Sequence, residues 1–228
     1  NNIRDKSKLK VVYDGIDMTA FETRRSGRPS ESNIIIGLAG TAPIKNHKDA
    51  ILALKKVHQA GHQAILKIAG RWGTGSYDRS YKDGLKDLIA KNELKDFVCK
   101  SNMQNVEFLG YKQGEELTSL VSGAYFVIVP SEWYENNPMT IIEAYSVGTP
   151  VLGARIGGIT EIIIEDENGY QFESANINDL KEKIIKVDSL PVEKYEALSW
   201  GTLVFANKYL NPENYYLELM AFYKQFLK

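Results

Sequence analysis

Two glutamates, Glu135 and Glu143, lie eight positions apart in the segment SEWYENNPMTIIEAYSVGTPV, with Asn137 and Pro138 between them. Asn is a favoured helix cap and Pro suits a first helical turn, so the spacing predicts a helix starting there, directly after an apolar strand. Glu135 then belongs to the loop before the helix, and Glu143 lies more than one turn inside it. The two carboxylates do not share one helical face. The first backbone N–H groups, those of Met139, Thr140 and Ile141, point out of the helix start and offer a site for a phosphate. Spacing alone is equally compatible with a solvated Glu135 and a Glu143 that packs or pairs with a neighbour.

Lys45 is a second candidate, in AGTAPIKNHKDA between the first apolar strand and its helix. A lysine at the carboxyl edge of a sheet can neutralise a diphosphate, although a solvated loop lysine is the ordinary alternative. Other motifs carry less. His58 and His62 stand at i, i+4, but HQAGH has Gln where a zinc hydrolase has its Glu, and a solvated helix end is favoured. GRWGTG follows a strand without the order of a dinucleotide or P-loop motif, and it reads as a turn passing over a site. Cys99 is the single cysteine and suits a small buried apolar role. No Asp-x-Asp pair occurs, so a carboxylate clamp for a metal-bound diphosphate has no candidate and no metal is expected.

These residues need elements to hold them. Short apolar runs alternate with amphipathic stretches: NIIIGLAG (33–40), AILKIAG (64–70), NVEFLG (105–110), AYFVIVP (124–130), PVLGAR (150–155) and GYQF (169–172). Helical patterns intervene, with Ile51, Leu54 and Val57 ending at Gly61, then around Tyr81 to Ile89, Leu94 to Val98 and Glu115 to Val121. A last one turns Leu180, Ile184 and Ile185 inward. Strands this apolar need helices on both faces, which predicts an α/β, doubly wound, Rossmann-like parallel sheet of about six strands with its site at the carboxyl ends. Residues 1–32 read as junction and linker, 33–190 as the sheet domain, and 191–228 as two aromatic-rich helices (192–208 and 212–227) that a compact sheet does not fully cover.

Lys and Arg number 28 and Asp and Glu 29, interspersed, so nothing attracts nucleic acid or an anionic membrane. A lone cysteine allows no internal disulfide, and the default compartment is the cytoplasm. The longest apolar run falls well short of the roughly 20 residues of a membrane helix.

Taken together, VVYDGID (11–17), IIIGLAGTAPIKN (34–46), NVEFLGY (105–111), VPSEWYENNPMTIIEAYSVGTPV (129–151), GGITEII (157–163) and NGYQF (168–172) resemble, in order, the donor-binding half of a retaining GT-B glycosyltransferase of glycosyltransferase family 4. The resemblance implies transfer of a sugar from a nucleoside diphosphate sugar, without metal or other cofactor, in the synthesis of a cell-surface glycan, polysaccharide or glycolipid. It implies that Glu135 approaches the transferred sugar and that Glu143 binds the ribose hydroxyls. The amides near Met139, Thr140 and Ile141, with Lys45, would hold the diphosphate; Tyr111 would lie near the base. Gly40 stands where many members carry an Arg, which leaves the diphosphate one cation fewer. ENNPMT replaces a glycine-rich loop and offers side chains such as that of Asn137. Because VVYDGID marks the end of the acceptor-binding domain in this family, the resemblance further implies that this domain is missing here. The terminal helices would pack toward it, and through it the protein could touch the inner face of the membrane. Competing expectations are a sugar-nucleotide epimerase or phosphorylase of the same fold and a noncatalytic nucleotide-binding or interaction domain.

Overall fold

A computed structural model of the chain describes residues 10, 12, 29, 34–38, 42–92, 94 and 105–226. Six strands form one parallel sheet: β1 (Ile34–Leu38), β2 (Ile65–Ala69), β3 (Val106–Gly110), β4 (Phe126–Val129), β5 (Val151–Ala154) and β6 (Gly169–Phe172). Their order is β3-β2-β1-β4-β5-β6. β1 aligns Ile34 with Ile65 of β2 on one side and Ile35 with Phe126 of β4 on the other. The order reverses between β1 and β4, the switch point at which the loops leaving their carboxyl ends border a crevice.

Burial explains why β4 and β5 are apolar throughout. Every residue of β4, β5 and β6 is buried. Phe126 and Ile128 face one core, with Ile51, Leu54 and Leu180, whereas Val127 and Val129 face the other, with Ile141, Tyr145 and Phe205. Helices α1 (His47–Gln59), α2 (Ser76–Lys91) and α6 (Ile177–Asp188) cover the first side. The second is covered by α3 (Gly114–Ser122), α4 (Met139–Ser146) and the short α5 (Ile159–Ile162), while α7 (Val192–Tyr209) reaches both, with Tyr195 and Leu198 in the first core and Phe205 in the second. No helix among the described residues is long and apolar enough to cross a membrane.

Several boundaries differ from expectation. The apolar stripe of α2 begins at Tyr81, but the helix starts at Ser76, after Gly75 in an extended conformation. Its first five residues form an exposed or half-buried turn that burial periodicity does not register. In α6 the third buried position is Val187, on the i, i+4, i+7 seam of Leu180 and Ile184; Ile185 is only partly buried beside it. Gly61 adopts φ +87° just beyond the end of α1, the left-handed geometry that suits glycine after a helix.

The final helix, α8 (Pro212–Lys224), has no buried residue. Tyr216, Leu217 and Tyr223 are exposed, and Glu218 pairs with Lys10 at 3.1 Å. By contrast α7 is locked to the sheet: the Tyr195 hydroxyl donates to the Tyr125 carbonyl at 3.0 Å, and the two rings stack at 4.5 Å. Most of the 1–32 junction, the VVYDGID segment apart from Val12, Gly40, Cys99 and the helix expected over 94–98 apart from Leu94 lie outside the described residues.

Candidate functional site

Two loops meet at the crevice. After β1 the chain makes a single 3-10 turn, Pro43–Lys45, closed by Asn46 in a left-handed conformation (φ 54°). Asn46 caps α1: its side-chain oxygen accepts from the Asp49 N–H at 3.3 Å, and its amide nitrogen donates to the Asp49 carboxylate at 2.8 Å. That cap holds Lys45 as the last residue of a fixed turn. The loop after β4 is stitched to it, because the Glu132 N–H donates to the Ile44 carbonyl at 2.8 Å.

Across this junction the Lys45 ammonium pairs with the Glu135 carboxylate, although 90 positions separate them. Ser131 donates its hydroxyl to the same oxygen, Glu135 Oε1, at 3.2 Å. A cleft of about 270 Å³ opens beside them, and its lining includes Lys45, Ser131, Glu135, Asn137, Met139 and Thr140. A carboxylate, an ammonium and a helix start therefore share one small cavity.

The helix begins one residue later than its sequence suggests. Pro138, extended at φ −69° and ψ 109°, is the cap of α4, and Asn137 precedes it. The Pro138 carbonyl takes the N–H of Ile141 at 2.9 Å, so that amide is committed within the turn. Ile141 is moreover fully buried in the core, which removes it from the expected anion donors. Met139 and Thr140 supply the first-turn N–H groups at the cleft wall.

Glu143 and Tyr111 do not line this cleft. Glu143 is half-buried on α4 and makes no hydrogen bond or ion pair among the described residues; burial raises its pKa. Tyr111, after β3, is exposed, with the Arg71 guanidinium 4.6 Å above its ring. His58 and His62 are not a metal pair: the buried His58 ring meets the Ala64 carbonyl at 2.8 Å, and His62 meets Asp188 at 2.7 Å. His58 thereby departs from the expected solvated helix end.

Sequence reasoning missed two supports. Ser131 is one, a small hydroxyl directly after the Pro that ends the β4 run. The other is Gly157-Gly158, whose adjacency was the available signal. The Gly158 N–H donates to the Glu135 carbonyl at 2.6 Å. A Cβ on Gly158 would lie 2.0 Å from the Asn136 carbonyl oxygen, and one on Gly157, at φ +54°, 2.8 Å from that of Glu135. We therefore expect Gly158→Ala to displace the Glu135 loop and cost about 1–3 kcal/mol of stability through overpacking. Thermal unfolding beside a nucleotide titration checks this; an unchanged melting temperature with unchanged affinity would contradict it.

The comparisons with known proteins bear on this arrangement. The family model for glycosyl transferases group 1 matches residues 19–203. The chain belongs to that family. One relative, an uncharacterised glycosyltransferase of Methanocaldococcus jannaschii, is 38% identical over 80% of this chain and 44% of its own length. Sulfoquinovosyl transferase SQD2 of Arabidopsis thaliana is 36% identical over 81% of this chain and 33% of its own. This group 1 chain thus spans about half or less of the length of these relatives. Among solved structures, sucrose-phosphate synthase from Thermosynechococcus elongatus shares the fold at a TM-score of 0.79, with 20% identity, over 95% of this chain and 52% of the other. Anabaena Alr3699/HepE in complex with UDP also aligns at 0.79, with 19% identity, over 95% and 57%.

Proposed function

We propose that this chain is the donor-binding half of a retaining glycosyltransferase that takes a sugar from a nucleoside diphosphate sugar. The observation that carries the proposal is the Lys45–Glu135–Ser131 cluster at the sheet's switch point, facing the start of α4. Anabaena Alr3699/HepE, a protein of the same fold solved in complex with UDP-glucose, supports a sugar nucleotide as the ligand class.

Each group has a chemical task in this scheme. When the bond between the anomeric carbon and the diphosphate breaks, negative charge grows on the departing diphosphate. Lys45 and the first-turn N–H groups of Met139 and Thr140 stabilise that charge where it develops, without a metal. Binding requires Lys45 to exchange the Glu135 carboxylate for the diphosphate, which releases the carboxylate toward the sugar hydroxyls. Glu135 then orients the sugar. Glu143, with no cationic partner among the described residues, accepts from the ribose hydroxyls, so the two carboxylates do not flank one bond as they do in retaining glycosidases. Tyr111 offers a ring near the base. The acceptor wall would come from a second half, against which the exposed face of α8 packs.

The competing possibility is a noncatalytic nucleotide-binding or interaction domain. Calorimetric titration with UDP, GDP, ADP and their sugars separates the two. Saturable binding of one nucleotide series is expected, and no binding of any at millimolar ligand would overturn the donor-site reading.

A further inference from the structure

We infer that the groove between the start of α1 and one face of α2 is a second binding site, for a single-chain amphiphile with an anionic head. A cavity of about 380 Å³ opens there, within the roughly 300–1,000 Å³ of small-molecule sites. It shares no lining residue with the cleft around Lys45 and Glu135, so the inference stands apart from the donor-site reading.

One wall is a single stripe of α2. Tyr77, Tyr81, Gly84, Leu85 and Leu88 stand at i, i+4, i+7, i+8 and i+11, the spacing of one helical face. At 1.5 Å of rise per residue the stripe is about 16 Å long, which suits an extended occupant better than a compact one. Leu85 is buried in the core, and Tyr81 and Leu88 pack against it, so the wall is fixed. Gly84 is the exception in the stripe. It lies exposed in the helix interior, where glycine weakens a helix, yet an added Cβ would meet no atom within 4 Å. No neighbour demands a glycine at this position; its effect is to keep the groove wide beside the two leucines.

The groove has a polar end and an apolar end. Pro43 and Lys48 form the opposing wall. Helices α1 and α2 each follow a strand of a parallel sheet, so both start at its carboxyl edge. Lys48, the second residue of α1, therefore lies toward the Tyr77 end of the stripe, and Leu85 and Leu88 lie toward the other. Lys48 is exposed and forms no ion pair among the described residues. No carboxylate among those residues lines the groove. A methylene chain laid along the leucines with its anion at Lys48 satisfies both ends. A sugar would press hydroxyls against the leucines, and a cationic head would meet the ammonium.

Calorimetry on this chain with dodecyl phosphate, kept below its micellar concentration, tests the site. One saturable site is expected, with affinity falling about three- to fourfold for each buried methylene removed in the decyl and octyl phosphates. Dodecyltrimethylammonium should bind at least 10-fold more weakly. Gly84→Leu fills the groove where a side chain has room, so it should abolish binding without lowering the melting temperature. Lys48→Glu should weaken dodecyl phosphate by about 3- to 10-fold or more, and reverse the preference toward the cationic amphiphile. Absence of saturable dodecyl phosphate binding would overturn the inference, as would equal binding of the cationic amphiphile by the parent chain. So would undiminished binding by Gly84→Leu. If that variant does not fold, retention of the anion preference by Lys48→Glu still overturns it, and reversal still supports it.

Discussion

Replacing Glu135 with alanine is expected to cut sugar transfer by about 10²–10³-fold or more, the scale of losing one preorganised polar group at a reacting centre. Nucleotide diphosphate should nevertheless bind at least as tightly as before. In the structure the Glu135 carboxylate pairs with the Lys45 ammonium, with Ser131 on the same oxygen. Binding a diphosphate must break that pair. Removing the carboxylate eliminates the exchange, and it also leaves Lys45 without a neighbouring anion in a partly enclosed cleft. Calorimetry on this chain measures the affinity. Transfer is measured in an enzyme completed by an acceptor-binding half. Weaker UDP binding by the Glu135→Ala protein would sink the assignment, because it would make Glu135 part of the nucleotide site. Undiminished transfer would sink it equally.

The order of elements was legible because β4, β5 and β6 are buried throughout and the strands are mostly apolar runs, punctuated by amphipathic helices. The Lys45–Glu135 contact was not, since separation along the chain carries no information about distance across a sheet. It follows from topology: β1 and β4 are neighbours, and the loops from their ends converge. Local chemistry was read less well where two residues competed for one role. Asn137 has the better capping side chain, yet Pro138, held extended, places its carbonyl on the Ile141 and Ile142 amides and takes the cap. Gly158 escaped notice because it acts through a backbone contact with Glu135, a residue that only the fold brings close. Ser131 bonds a residue of its own loop, but it belongs to no periodic pattern.

Glu143 should show opposite responses in stability and in binding. Burial of its carboxylate, with no cation or donor among the described residues, raises the folded-state pKa above the unfolded value. Between those two values the folded protein holds more protons than the unfolded chain, so stability declines as pH rises through that window. At neutral pH the charged, partly desolvated carboxylate therefore works against the ligand-free fold, and Glu143→Gln should melt at a higher temperature than the unsubstituted protein. Ribose hydroxyls donating to the carboxylate favour its charged form, so nucleotide affinity should fall as pH drops through the raised pKa. Glu143→Ala should weaken nucleotide binding by about 1–3 kcal/mol, the range for hydrogen bonds to a charged group. Glu143→Gln should flatten the dependence of both melting temperature and affinity on acid pH. Thermal melts and titrations across that range read the two effects on the same samples. A variant that lost stability at neutral pH, or bound nucleotide as well as the parent, would place Glu143 in the packing of α4 and leave the ribose to another group.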